Sequence, residues 1–269
     1  MPKQHSDVWA SGAAYEPYVG RWSRLVAREF LAWLDAQAGW RWLDVGCGTG
    51  ALSQTLLAQA APGAVLGVDP SEGFVAYARA QTPDPRASFA VGDARALPLP
   101  DSSVDAVISG LVLNFIPQPE RAAAEMVRSV RAGGLVAAYV WDYAGEMQLM
   151  RQFWDAAVAL NPAAHDLDEG ARFPLCQPEP LSTLFRAAGL QQVETRAIDV
   201  PTVFRDFDDY WTPFLGSQGP APGYAMSLSE EDRAALRESI RAHLPIQPDG
   251  MISLKARAWA VRGYKQLRM

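Results

Sequence analysis

The sequence predicts an α/β protein built on a doubly wound, mostly parallel β-sheet. Between residues 24 and 142, short apolar runs alternate with segments whose apolar residues recur at helical spacing. The first apolar run ends in a cluster of glycines. Strands that are apolar throughout and separated by helices are typical of parallel sheets covered on both faces. We therefore expect one sheet with helices on each side.

The alternation predicts the elements of this region in order. The strands are expected at residues 40–45, 65–68, 88–91, 104–109 and 135–141. The helices are expected at residues 24–37, 50–61, 73–80 and 119–131, and Gly133 and Gly134 are expected to stop the last of them. No helix is predicted between residues 91 and 104.

The pattern changes after Trp141, which predicts a second kind of structure in the remaining chain. Helices are expected at residues 146–160, 178–188 and 229–244, strands at 191–204 and 251–261, and a loop at 161–177. We expect residues 1–142, 176–204 and 248–269 to form the core around the sheet. Two insertions, residues 143–175 and 205–247, are expected to form a helical cap over one end of it.

Composition excludes several classes of protein. The chain has 269 residues, of which 49% are hydrophobic and 20% charged, as in a soluble globular protein. A formal charge of −6 disfavours nucleic acid or an anionic membrane surface as the main partner. The two cysteines cannot form a disulfide framework or a zinc site, and His5, His165 and His243 are isolated, so no metal site is predicted. The chain begins without a signal-peptide pattern and its longest apolar run is too short to span a bilayer, so a cytoplasmic location is expected.

A glycine-rich turn, Gly46-Cys47-Gly48-Thr49-Gly50, follows the first predicted strand directly. Ligands of open α/β sheets bind at the carboxyl ends of the strands, and a helix N-terminus begins just beyond this turn. Glycine permits positive φ angles and lets a ligand lie against bare backbone. The turn therefore predicts a site for a carboxylate or a phosphate. With Ala51 it also fits the dinucleotide pattern G-x-G-x-x-G/A.

Three acidic residues near predicted strand ends narrow the choice of ligand. Asp69 ends the second strand, where a carboxylate accepts hydrogen bonds from two ribose hydroxyls, and this fits NAD as well. Asp93 follows the third strand, where it can accept a hydrogen bond from an exocyclic adenine amine. Asp44 precedes the glycines and would repel a pyrophosphate but attract an amino-acid ammonium group. The acids favour an adenosine ligand that carries an amino acid.

Three motifs carry a resemblance to a known family. Residues 42–50 (WLDVGCGTG), 67–69 (GVD) and 92–94 (GDA) resemble the class I S-adenosylmethionine (SAM)-dependent methyltransferases, most closely the small-molecule branch that includes the quinone-biosynthesis C-methyltransferases. Segments 97–105, 111–117 and 125–134 extend the resemblance, which is strong from about residue 40 to 140. It implies a Rossmann-like sheet of the seven-strand methyltransferase type, SAM as cofactor and S-adenosylhomocysteine (SAH) as product.

The resemblance also implies which residues surround SAM. The glycine turn would border the methionine part, Asp69 would hold the ribose, Phe74 would pack on the adenine, Asp93 would read the adenine edge, and backbone near Leu111 would face the sulfonium. The N-terminal segment 15–23 resembles one that covers SAM in related enzymes, and its alternative is a surface arm. The cofactor-binding residues predicted in this way are Tyr18, Arg21, Asp44, Gly46, Cys47, Gly48, Gly50, Asp69, Pro70, Ser71, Phe74, Gly92, Asp93, Ala94, Gly110 and Leu111.

The sequence offers two candidates for a catalytic role. Methyl transfer from a sulfonium depends mainly on positioning, and a base is needed only if the acceptor must lose a proton. Asp142 and Tyr143 follow the fifth strand and are such candidates, with a helix-capping turn as the alternative. The family often has His where Asn114 stands, so no role is assigned there. Tyr210, Trp211, Phe214 and Tyr224 are expected either to line an apolar acceptor pocket or to form the core of the second insertion.

The leading hypothesis is therefore a SAM-dependent methyltransferase that acts on a small organic acceptor, apolar or aromatic, with no nucleic-acid or membrane partner. Two alternatives stay open at this point: an NAD-dependent oxidoreductase, and a non-catalytic SAM-binding regulatory protein. The sequence predicts neither the acceptor, nor the atom methylated, nor the oligomeric state.

Overall fold

The computed structural model describes residues 20–216 and 219–267 and contains a seven-stranded sheet with helices. Its strands are β1 (Arg41–Val45), β2 (Ala64–Asp69), β3 (Ala87–Val91), β4 (Val104–Gly110), β5 (Val130–Trp141), β6 (Leu190–Phe204) and β7 (Ile252–Lys265). They lie in the order β3-β2-β1-β4-β5-β7-β6. The strands from β3 through β5 pair in parallel, and β7 pairs antiparallel to β5. The predicted fold class is confirmed.

The helices follow the predicted alternation through the first half of the chain. They are α1 (Arg21–Leu34), α2 (Ala51–Gln59), α3 (Glu72–Gln81), α4 (Pro119–Ser129), α5 (Gln148–Leu160), α6 (Glu169–Arg172), α7 (Pro178–Ala187), α8 (Phe207–Trp211), α9 (Pro220–Ser227) and α10 (Glu230–His243). Short 3₁₀ helices span Leu113–Phe115, Pro162–Leu167 and Thr212–Leu215. As predicted, the connection from β3 to β4 has no helix.

Two local predictions were wrong. Helix α4 ends at Ser129 rather than at the glycines, because Val130 is already extended and pairs with Val104 of β4. Gly133 and Gly134 lie inside β5, where the register with β4 shifts. The predicted loop 161–177 contains helical turns, because Asn161 and Asp168 accept hydrogen bonds from backbone N–H groups two residues ahead and so cap them.

The strand order places a switch point between β1 and β4. From β1 the chain adds β2 and β3 on one side, and then returns to add β4 and β5 on the other. Connections from the carboxyl ends of β1 and β4 therefore leave in opposite directions and open a crevice there. The predicted glycine turn follows β1 at this point.

The chain divides into two compact units. The sheet unit comprises residues 22–141, 175–198 and the chain from residue 258, and the helical unit comprises residues 142–174 and 199–257 with Arg21. The predicted domain boundaries, and the covering of the sheet by the insertions, stay predictions. Across residues 20–216 and 219–267, every helix is either too short or too polar to cross a bilayer.

The helical unit has its own aromatic core. Phe153 of α5 stacks on Phe214, with ring centroids 4.6 Å apart, and Trp154 lies 5.6 Å from Tyr224. The hydroxyl of Tyr210 donates a hydrogen bond to the carbonyl of Leu149. These rings are buried, so the aromatic residues of the second insertion pack as a core.

Candidate functional site

The glycine turn after β1 is held by the neighbouring strand and leaves one face of its backbone open. Gly46, Gly48 and Gly50 all have positive φ angles, of 73°, 52° and 85°. The N–H groups of Gly46 and Cys47 both donate to the carbonyl of Val68 in β2. A Cβ on Gly46 would lie 2.4 Å from Val112, whereas a Cβ on Gly48 would meet no atom within 4 Å. The turn therefore needs glycine for conformation and close approach, and presents bare backbone at Gly48.

Asp69, at the end of β2, ties that strand to the glycine turn. Its carboxylate accepts hydrogen bonds from the N–H of Gly48 at 3.0 Å and from the N–H of Ser71 at 2.9 Å. Each oxygen takes one of these bonds and retains capacity for another. Burial raises the pKa of Asp69 above its ordinary value. Ser71 in turn caps α3 by accepting from the N–H of Phe74, which is largely buried.

Asp44 of β1 is a buried carboxyl group with one oxygen that makes no hydrogen bond. Ser53 of α2 donates its hydroxyl to Asp44 Oδ2 at 2.7 Å, and Asp44 Oδ1 is buried with no hydrogen-bond partner. Burial raises the pKa of Asp44 to about 7, and the nearby charge of Asp69 adds to this effect. Because an unpaired buried acceptor costs free energy, a donor that reached Oδ1 would be bound favourably.

Cys47, inside the turn, serves packing. Its side chain is buried in a cluster with Val75, Ala78 and Phe89. Burial, with the negative charges of Asp44 and Asp69, raises the pKa of the thiol far above its ordinary value. The thiol stays protonated and is no nucleophile.

Asp93, after β3, is engaged by a residue that the sequence analysis did not consider. Arg95 donates to the Asp93 carboxylate from its backbone N–H, from Nε and from Nη2, the last at 2.6 Å. This pairing lowers the pKa of Asp93 to about 2. The carboxylate is about half exposed, so its outer side stays open to other donors. The only signal for this ion pair in the sequence is an Arg placed two residues after an Asp in a loop.

Arg128 of α4 holds the loop that follows Asp93 through hydrogen bonds, and the sequence analysis did not predict this role. Its guanidinium donates to both oxygens of Glu125, to Asp101 and to the carbonyls of Leu97 and Leu99. Glu125 also accepts from the N–H of Leu97. The connection from β3 to β4 lacks a helix, and these hydrogen bonds hold it in a defined conformation.

The segment after β4 runs close to the glycine turn in strained backbone. A Cβ on Gly110 would lie 2.6 Å from the Tyr139 hydroxyl, so glycine is required there. Leu111 has a φ of 62°, a left-handed conformation that is uncommon for this residue type, and its N–H donates to the carbonyl of Tyr139. Asn114 follows in a 3₁₀ turn, and both polar atoms of its amide are buried without a partner.

The structure thus brings several predicted residues to one end of the sheet. Adjacent strands β4, β1, β2 and β3 end in turn at Gly110, Val45, Asp69 and Val91. The residues that follow these ends include the glycine turn, Pro70 and Ser71, the sequence Gly92-Asp93-Ala94, and Leu111.

Other predicted residues belong to the helical unit or lie outside the described chain. Tyr18 is outside the described residues. Arg21 donates to Asp209 at 3.0 Å and stacks over the ring of Phe204. Asp142 Oδ2 accepts a hydrogen bond from the N–H of Glu146 in the turn before α5, and the N-cap residue of that helix is Met147. Catalysis by Asp142 or Tyr143, and contact of Arg21 with the cofactor, stay predictions.

The helical unit also holds a buried carboxyl group that the sequence did not single out. Trp154 Nε1 donates to Glu169 Oε2, and burial raises the pKa of Glu169 to about 8. Beside it, Arg151 pairs with both oxygens of Asp168 at 3.0 and 2.6 Å. Within the described residues, no three His, Cys, Asp or Glu side chains are grouped as a metal site.

Comparison with known proteins agrees with this geometry. Residues 43–138 match the family model described as a methyltransferase domain. Over 237 residues the chain is 30% identical to a 2-methyl-6-phytyl-1,4-hydroquinone methyltransferase of Synechocystis, covering 79% of this chain and 73% of the relative. The chain belongs to the class I SAM-dependent methyltransferases.

One further relative and one solved structure extend the comparison. A malonyl-[acyl-carrier protein] O-methyltransferase of Methylococcus capsulatus is 36% identical over 117 residues, which is 43% of this chain and 42% of the relative. The phosphoethanolamine N-methyltransferase 2 of Haemonchus contortus, solved with phosphomonomethylethanolamine and SAH, matches with a TM-score of 0.59 at 16% identity. That match covers 94% of this chain and 56% of the other, and shows the fold.

Membership of the methyltransferases settles the main functional question raised by the sequence. The enzyme uses SAM, and nothing in these comparisons supports the NAD-dependent or non-catalytic alternatives. The acceptors named for the relatives differ in chemistry, so the family alone does not select one for this chain.

Proposed function

We propose that this methyltransferase holds SAM at the carboxyl ends of β1 to β4 and transfers its methyl group to a small organic acceptor. The observation that carries the proposal is the pair Asp44 and Asp69 around the open backbone of Gly48. One of these carboxyl groups has a buried oxygen without a partner, and the other has one hydrogen bond on each oxygen. Both fit donors of the kind that SAM carries.

Asp44 would bind the ammonium group of the methionine part. Its unpartnered Oδ1 offers an acceptor in buried surroundings, and a cation there would lower its pKa below the value of about 7. Gly46 and Gly48 leave the adjoining backbone uncovered by side chains. A pyrophosphate at the same place would face a carboxylate rather than a cation, which argues against a dinucleotide.

Asp69 would bind the ribose hydroxyls, with Pro70 and Ser71 beside them. The N–H groups of Gly48 and Ser71 orient the carboxylate and keep it from turning away. Phe74, Ala94 and Asp93 would form the adenine side. The Arg128 network would keep the loop that carries Asp93 in place.

SAM, when bound, supplies a sulfonium-activated methyl group, so the reaction needs little covalent help from the protein. The residues of this chain would bind and orient the two reactants, which is the main source of rate for an in-line displacement. Cys47 is excluded as a nucleophile by its burial and raised pKa.

The acceptor is proposed to be a small neutral or apolar molecule, by analogy with the hydroquinone named for the Synechocystis relative. A formal charge of −6 supports a partner other than nucleic acid. We also propose a cytoplasmic location for the reaction.

The proposal is tested by titrating SAH into the wild type and into Asp69→Ala by calorimetry. The substitution leaves buried donors unpaired, so the binding free energy is expected to weaken by about 1–3 kcal/mol. Asp84→Ala is the matched control, because Asp84 pairs with Arg86 in an exposed loop. The SAH affinity of this variant should equal that of the wild type. Unchanged affinity in Asp69→Ala would remove Asp69 from the site.

A further inference from the structure

The segment that follows β4 carries two unusual features within five residues. Leu111 is held in a left-handed conformation by its hydrogen bond to Tyr139, and Val112 packs directly on Gly46 of the glycine turn. Backbone strain of this kind persists only where the surroundings impose it, and it clusters at functional sites. The segment is therefore fixed against the proposed SAM site at the switch point of the sheet.

The second feature is the side chain of Asn114. Its Nδ2 and Oδ1 atoms are both closed to solvent, and neither makes a hydrogen bond. Buried amides are almost always paired, because leaving both a donor and an acceptor unpaired costs free energy. A leucine would fill similar space without this cost. The carboxamide is therefore retained at the expense of stability.

Three polar groups of SAM already have proposed partners in this unit. The ammonium group is assigned to Asp44, the ribose to Asp69 and the adenine edge to Asp93. Asn114 lies beyond Leu111, on the segment whose backbone is expected to face the reacting end of the cofactor. The methyl acceptor must lie at this reacting end, and its polar groups have no assigned partner.

We propose that the Asn114 carboxamide binds a neutral hydroxyl group of the methyl acceptor, an inference that rests on the proposed function. A carboxamide offers two N–H donors and one carbonyl acceptor, so it pairs with a group that both donates and accepts. It carries no charge, so it would not compensate a buried phosphate or ammonium group. Asn114 thus selects phenol-like or enol-like acceptors over purely apolar ones.

The probe pair for the test is 2-naphthol and 2-methylnaphthalene, which have the same ring system and differ in one polar group. Each is titrated by fluorescence into the wild type and into Asn114→Leu and Asn114→Ala, with and without SAH. Asn161→Asp is the matched control, since the Asn161 side chain accepts a hydrogen bond from the N–H of Ala163, and an Asp carboxylate can accept the same bond. SAH affinity and Tm are measured for every variant.

We expect 2-naphthol to bind the wild type and its Kd to rise about tenfold or more in both Asn114 variants, as when a site built for a hydroxyl loses its partner. The Kd values of 2-methylnaphthalene and SAH should stay within about twofold, the scatter between independent sites. The Tm of Asn114→Leu should not fall, because no hydrogen bond of the free protein is lost.

Three results would overturn the inference: no binding of 2-naphthol to the wild type, equal loss of both probes, or a lower Tm with unchanged 2-naphthol binding. Failure of SAH to bind the wild type would contradict the proposed function instead. In that case the titrations without SAH still decide whether Asn114 recognises a hydroxyl.

Discussion

Two buried carboxyl groups in this protein have similar electrostatics and different surroundings. In the sheet unit, burial raises the pKa of Asp44 to about 7, and in the helical unit it raises the pKa of Glu169 to about 8. Asp44 lies beside glycines in open backbone and keeps Oδ1 without a partner. Glu169 accepts from the indole of Trp154 inside a helical core.

The difference separates a binding carboxyl from a structural one. A raised pKa reports desolvation, which both sites share, and by itself does not identify function. The unpaired acceptor oxygen of Asp44 does identify a binding role, because a ligand can donate a hydrogen bond to it without breaking one within the protein. Glu169 already has its partner, so we assign it to stability.

The largest effect is expected for Asp44→Asn. The amide cannot attract an ammonium group as a carboxylate does, so SAH binding should weaken by about 1.5–3 kcal/mol. The raised pKa means that folding favours the protonated acid, so the wild type loses stability as pH rises from about 4 to about 7. Asn mimics the protonated form, and unfolding in urea at pH 8 should show the ligand-free variant to be more stable.

The same acid predicts a pH dependence for the wild type. An ammonium group binds the ionised form of Asp44, so SAH affinity should fall as pH is lowered through 7, and this dependence should vanish in Asp44→Asn. A pH-independent wild-type affinity would contradict the assignment of Asp44 to the ammonium group.

Glu169→Gln is expected to have a smaller effect, confined to stability. The pKa of Glu169 is raised from 4.5 to about 8, so this group's contribution to stability is lost as pH rises across that range. Gln mimics the protonated acid, so its stability relative to the wild type should increase from pH 5 to pH 9, measured by urea unfolding. Asp166→Asn, at an exposed side chain, serves as the control.

This variant is also the sharpest test of the comparison between the two carboxyl groups. SAH affinity should be the same in Glu169→Gln and the wild type. If it weakens as much as in Asp44→Asn, the distinction between a binding and a structural carboxyl fails.

The smallest effect is expected for Arg95→Ala. Removing the guanidinium lets the pKa of Asp93 rise from about 2 toward its ordinary value, which leaves it ionised at pH 7. The freed acceptors should tighten SAH binding by about 0.2–1 kcal/mol, the size of an exposed ion pair. Arg86→Ala is the control, since Arg86 pairs with Asp84 at the same spacing in another loop. Weaker binding in Arg95→Ala would mean that Arg95 itself supports the cofactor.

The sheet and the cofactor could be predicted from the sequence because both depend on local patterns. Apolar runs and helical spacing placed the strands β1 to β4 to within a few residues, and positive φ at Gly46, Gly48 and Gly50 was implied by the residue type. The end of α4 was predicted wrongly, since pairing of Val130 with Val104 overrode the helix-stopping glycines.

The sequence by itself therefore determined the fold class, the glycine turn and the three acids at or near the strand ends, because spacing along the chain carries that information. Only the tertiary structure decided how those groups are satisfied. It showed that Ser53 takes one oxygen of Asp44 and leaves the other, that Arg95 occupies Asp93, and that the Asn114 amide has no partner. The pairing of Ser53 with Asp44 joins a helix to a strand. An unpaired atom is defined by everything that surrounds it, which no local pattern records.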